Sequence, residues 1–113
     1  MKQGYLKVGD TQPSIKGVLG AGKDPVNLEG ATVQLFVKDR DTGEIIVDGR
    51  NANITDGENG EVEVDWDPDD SDKERDLLAE WVASFDDGEI TFPNRGFIPV
   101  KISEDIKSKT TEA

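Results

Sequence analysis

Five aspartates crowd into one short stretch: Asp65, Asp67, Asp69, Asp70 and Asp72. A hard cation such as calcium seeks this kind of carboxylate density, because it is held by several oxygen ligands at once. The spacing departs from that of a helix-flanked calcium loop, having no central glycine and no closing bidentate glutamate. The stretch therefore reads as a solvated acidic loop between strands. Asp39, Asp41 and Glu44 around Gly43 read in the same way, as a hairpin turn. A pair of carboxylates can also cleave a glycosidic bond, but only across a cleft, which a small sandwich does not build. Gly20-Ala21-Gly22-Lys23 has the flavour of a phosphate loop without its full spacing or its helix. The chain has no histidine and no cysteine. Those absences exclude serine–histidine and cysteine–histidine catalysis, thiolate metal sites and a disulfide framework. No catalytic residue, cofactor-binding residue or metal ligand is assigned, and the expectation is a protein that is not an enzyme.

The elements that would position any site are legible as period-two alternation. In Leu78–Phe85, Ala79, Trp81, Ala83 and Phe85 share one face, while Glu80, Val82 and Ser84 share the other. Asp86-Asp87-Gly88 turns the chain into Glu89–Phe92. Pro93-Asn94-Arg95-Gly96 is expected to turn it again before Phe97–Ile102. Upstream, Val33, Leu35 and Val37 face inward from the strand Ala31–Lys38, opposite Gln34, Phe36 and Lys38. Glu44–Val47 returns beside it, and Ala52-Asn53-Ile54 is a further extended piece. Val62, Val64 and Trp66 point inward from Glu61–Trp66. Tyr5–Val8 and Ser14–Leu19 are short early strands, and Leu28 plugs inward between loops. Asp67–Arg75 is a polar loop or single helical turn, capped by Asp70 or Ser71. Seven or eight strands at this spacing give an all-β, antiparallel β-sandwich. Residues 1–103 form the domain, and 104–113 form a flexible polar tail.

Bulk composition narrows the partners. The chain has 113 residues and a net charge of −12, from 25 acidic and 13 basic side chains. Such a surface repels phosphate backbones and anionic bilayers, so neither nucleic acid nor membrane is expected as a partner. No apolar run approaches the roughly 20 residues needed to span a bilayer. Met1-Lys2-Gln3-Gly4 leads directly into a strand without a signal peptide, which implies synthesis as a soluble protein in the cytoplasm. Asn53-Ile54-Thr55 has the pattern of a glycosylation site, a triplet that arises often by chance. Trp66, Trp81 and Phe85 fall on inward faces and read as core, not as a carbohydrate platform. Phe36 falls opposite the inward residues of its strand. An exposed aromatic there is a contact candidate.

The order of these segments is familiar. Pro25-Val26-Asn27-Leu28-Glu29-Gly30-Ala31-Thr32-Val33 enters the central strand, and Asp56-Gly57-Glu58-Asn59-Gly60-Glu61-Val62 follows. The chain then closes with Ala79-Glu80-Trp81, Asp86-Asp87-Gly88 and Thr91-Phe92-Pro93-Asn94-Arg95-Gly96-Phe97-Ile98-Pro99-Val100. Over about residues 3 to 102 it resembles the small immunoglobulin-like virion domains of tailed phages and archaeal tailed viruses, typified by the N-terminal domain of the phage baseplate upper protein. The resemblance implies an immunoglobulin-like β-sandwich, located in the virion and packed symmetrically against other virion proteins and copies of itself as a homo-oligomer. It implies no catalysis and no cofactor. The family's baseplate members continue into helical and receptor-carrying regions, whereas this sequence stops at Ala113, so it is expected to be an adaptor, decoration or small tail, head–tail or capsid accessory component. The contact positions expected on this reading are Tyr5, Leu6, Phe36, Ile46, Asn94, Arg95 and Phe97. The alternative is an immunoglobulin-like module, displayed on the virion, that binds a host surface glycan or protein.

Overall fold

The computed structural model describes residues 4–7, 14–21, 24–93 and 96–103. The segment 104–113, expected to be a tail, lies outside them, as do Asn94 and Arg95. In chain order the strands are β1 (Gly4–Lys7), β2 (Ile15–Val18), β3 (Gly20–Ala21), β4 (Asp24–Pro25), β5 (Thr32–Asp39), β6 (Ile45–Asn51), β7 (Asn53–Asp56) and β8 (Glu61–Val64). A 3₁₀ turn (Pro68–Ser71) leads to β9 (Arg75–Phe85), β10 (Gly88–Phe92) and β11 (Ile98–Ser103). The fold is all-β and sandwich-like, with more strands than the alternation shows because β3 and β4 form a two-residue ladder inside an expected loop.

The larger sheet runs β1-β11-β9-β5-β6, with β10 also on β9. The smaller runs β2-β8-β7. The chain passes between them at Ala52, whose N–H donates to Val33 O (2.8 Å) just after β6 ends and before β7 begins. Inward residues of both sheets merge into one buried cluster that includes Val62 and Val64 from β8 and Val33, Leu35, Val37 and Trp81 from the larger sheet. Leu35 and Phe92 lie opposite Trp81 on its two sides, and all three are buried. Leu19, Leu28 and Trp66 fill the cluster from the connections. Trp66 follows β8 instead of belonging to it.

Two expectations about the end of the chain are corrected. Pro93–Gly96 does not reverse it. β10 and β11 both run antiparallel to β9, with Phe92 opposite Trp81 and Ile98 opposite Ala79. They are two halves of one interrupted strand along one edge of β9, and the Phe92–Pro93 peptide at the interruption is cis. Nor is the sandwich purely antiparallel. β1 pairs in parallel with β11 and closes the sheet edge, with Leu6 opposite Ile102. This register turns Leu6 into the core, so it is not a surface contact position.

β6 carries two bulges. Leu35 pairs with Arg50 and Phe36 with Asp48, which leaves Gly49 as the extra residue. Its φ of 83° lies in the region glycine tolerates, and the Phe36 ring covers it. Val37 pairs with Val47 and Lys38 with Ile45, leaving Ile46 as the second extra residue. A one-residue insertion exchanges the faces of a strand. Ile46 therefore packs partly buried against the core, while Ile45 takes the exposed position. Ile46, an expected contact position, thus faces the core side, and its neighbour Ile45 is the one at the surface.

Gly17 of β2 faces the Trp81 indole across the sandwich. A Cβ at this position would lie 3.0 Å from Nε1 and 3.2 Å from Cε2. The indole is fully buried and has little room to retreat. We expect Gly17→Ala to destabilise the fold by about 1–3 kcal/mol, read as a lowered denaturant midpoint with an unchanged slope. An unchanged midpoint would show that the two sheets are not held this closely.

Candidate functional site

The acidic stretch is organised by arginine. The Gly49 bulge places Arg50 opposite inward-facing Leu35, and its guanidinium grips Asp70 with two bonds (Nη1–Oδ2 2.6 Å, Nη2–Oδ1 3.1 Å). It also donates to Asp65 O and lies 3.2 Å from Asp67 Oδ2. The Asp70 bond raises the Arg50 pKa further, with the Asp70 and Asp67 charges adding to it against a desolvation cost. Asp70 is buried and accepts from Asp67 N–H (2.7 Å), while its own N–H donates to Asp67 O (2.9 Å). The residue that caps the 3₁₀ turn is thus Asp67, with extended backbone, in place of Asp70 or Ser71. Among the described residues no group of His, Cys, Asp and Glu side chains is arranged to hold a metal. Its best-buried carboxylate is already committed to Arg50.

A second cluster stands at the start of β9. Arg75 reaches Glu44 (3.3 Å), Asp72 (3.3 Å) and Asp39 (3.6 Å) with its side chain almost wholly buried. Asp39 Oδ1 accepts from Thr42 N–H (3.0 Å) and Asp41 N–H (2.8 Å), closing the β5–β6 turn. These two backbone bonds, with Arg75 adding to them, hold the Asp39 carboxyl below the usual carboxylate range. Beside it, Arg40 and Lys101 share Asp76. Both clusters tie loops to strands, although the buried Arg75 Nε has no hydrogen-bond partner among the described residues.

The outer face of the larger sheet is different. Here Phe36, Lys38, Ile45, Leu78, Glu80 and Phe97 line a shallow cleft of about 320 Å³. Ile45 and Phe97 are 58% and 42% exposed, high for large apolar side chains that lie together. Phe36 stands opposite Glu80 and Lys38 opposite Leu78 across the β5–β9 pair. The Lys38 ammonium lies 4.9 Å from the centre of the Phe97 ring, a cation–π contact. Among the described residues neither Lys38 nor Glu80 is in an ion pair. The face thus offers apolar side chains and two charges of opposite sign that are in no ion pair.

Of the expected contact positions, Phe36 and Phe97 come together in this cleft. Leu6 is in the core and Ile46 is half-buried on the inward side of β6. Tyr5 lies in β1 opposite Lys101, with its side chain outside the description. Asn94 and Arg95 are outside it altogether. Sequence reasoning missed Ile45, Leu78 and the Lys38–Glu80 pair. Leu78 and Glu80 had a signal, since both occupy polar-face positions of β9. A second cleft, of about 420 Å³, lies over β2 and β8 and reaches Ile98, with Val18 exposed on its wall. Among the described residues it gathers no aromatic side chain.

Two expected outcomes follow from the clusters. Asp70→Ala leaves Arg50 half-buried without its two-bonded partner. We expect a loss of about 2–3 kcal/mol in chemical denaturation, and an unchanged stability would show that the pair holds nothing. For Asp39, a folded-state pKa below the unfolded one means the unfolded chain binds more protons, so the group's contribution is present above the unfolded value. It disappears as pH falls through the lowered one, below about pH 4. Asp39→Asn should therefore flatten the acid limb of the stability–pH curve, and an acid limb identical to that of the parent would refute this. In comparisons with known proteins, the chain matches no family model and no curated sequence.

Proposed function

We propose that this chain is a non-enzymatic structural protein of a tailed-virus particle, a tail, baseplate, head–tail or capsid accessory component that acts by symmetric protein–protein assembly. The observation that carries the reading is the outer face of the larger sheet, where Phe36, Ile45, Leu78 and Phe97 stay together at the surface of a domain whose core is already filled. Apolar and aromatic side chains at the centre of a patch, ringed by polar ones, are the composition of protein interfaces. The sequence resemblance supplies the setting, and the charge of −12 favours a place away from packaged nucleic acid.

The test is quantitative mass spectrometry of purified particles of the virus encoding the chain, and of their separated heads and tails. The expected result is the protein at a fixed copy number that is a multiple of the particle's symmetry. Its absence from particles, with the protein left free in infected cells, would overturn the proposal and favour a host-directed binding module.

A further inference from the structure

Four neighbouring residues at the centre of this face form a checkerboard. Phe36 and Lys38 alternate along β5, and Glu80 and Leu78 alternate opposite them along β9. The two apolar residues occupy one diagonal, and the two opposite charges occupy the other. Lys38 does not close on Glu80 within the chain, since its ammonium rests over Phe97.

This arrangement is complementary to itself. A two-fold axis lying in the plane of the face, along the Phe36–Leu78 diagonal, carries Phe36 onto its own copy and Leu78 onto its own copy. The same operation exchanges Lys38 with Glu80. Further out it brings Ile45 of β6 over Val82 of β9, because each lies one step beyond the square on opposite sides of the axis. We propose that the occupant of this face is a second copy of the chain, docked isologously about that axis, with Lys38 of each copy meeting the partner's Glu80. Strands of the two copies would cross steeply, the orthogonal class of sheet packing. The proposal rests on the assembly reading above and adds its face, its symmetry and its charged pair.

Charge selects this occupant over others. A basic partner surface meets Lys38 unfavourably, and an acidic one meets Glu80 unfavourably. A second copy supplies both signs in the required places, which is the property of an isologous contact. The opposing effect is the repulsion between two chains each carrying −12. That repulsion is long-ranged and is screened by salt over about 10 Å at 0.1 M, whereas a pair in contact is screened much less. Dimerisation should therefore strengthen as salt rises from low values, the reverse of an association driven by net attraction.

The test is sedimentation equilibrium of the intact chain and of three variants, Lys38→Glu, Glu80→Lys and the double exchange. The expected result is a wild-type dimer that tightens between about 0.02 M and about 0.2 M salt. Each single reversal should weaken it by about tenfold or more by facing like charges across the axis. The double exchange, and an equimolar mixture of the two single variants, should recover association, which misfolding cannot mimic. A wild type monomeric at every concentration, or single variants that dimerise like the wild type, would overturn the proposal. Monomers in solution with a fixed copy number in particles would sink the dimer and leave the assembly reading. A dimer that is absent from particles would sink the assembly reading instead.

Discussion

The contact between Gly17 and Trp81 sets the geometry on which the rest of the molecule depends. Face-to-face sheets ordinarily stand about 10 Å apart, with side chains from both filling the gap. Here the largest fully buried side chain rises from the middle of β9, and the smaller sheet answers it with a residue that has no side chain. The indole Nε1 has no hydrogen-bond partner among the described residues. Leaving such a donor unmet costs about 1–3 kcal/mol, against the burial of a whole indole. With Trp81 fixed inward, parity places Leu78, Glu80 and Val82 on the far side of β9. The outer face is thus a consequence of how the inner face is packed.

The length of β9 explains both what the sequence shows and what it hides. Its alternation from Leu77 to Ala83 is strict, and the sequence reading finds that stretch and its partner Thr32–Asp39 with nearly the right faces. The same reading takes Pro93–Gly96 for a reversal, because proline and glycine punctuate turns and interruptions alike. Which of the two they make depends on what lies alongside. An eleven-residue strand has room for Gly88–Phe92 and Ile98–Ser103 in line along one edge. That fact belongs to the pairing and not to the local residues.

The face is only half legible for related reasons. Phe36 stands out because it interrupts the polar face of its strand, and Phe97 because it follows a turn-rich segment. Ile45 and Ile46 cannot be told apart locally, since a bulge decides which of two adjacent isoleucines faces water. Leu6 looks like an exposed edge residue until β1 is known to pair in parallel with β11. The checkerboard needs the register between β5 and β9, which are far apart in sequence, and no local pattern contains it.

The use of the basic residues bears on partner choice. Among the described residues the two most buried guanidiniums, Arg50 and Arg75, hold the 3₁₀ turn and the β5–β6 turn to the sheets. Arg40 and Lys101 are engaged by Asp76. These cations stabilise the fold and leave the surplus of carboxylates to define the field that an approaching molecule meets. Against that field, association needs a place where apolar contact is available and the local charge is balanced. The outer face of the larger sheet combines the two, with Lys38 held over Phe97 and Glu80 one step away. Net charge therefore works as a filter. It opposes contact over most of the surface and, on the proposed reading, favours this balanced, apolar face as the point of assembly.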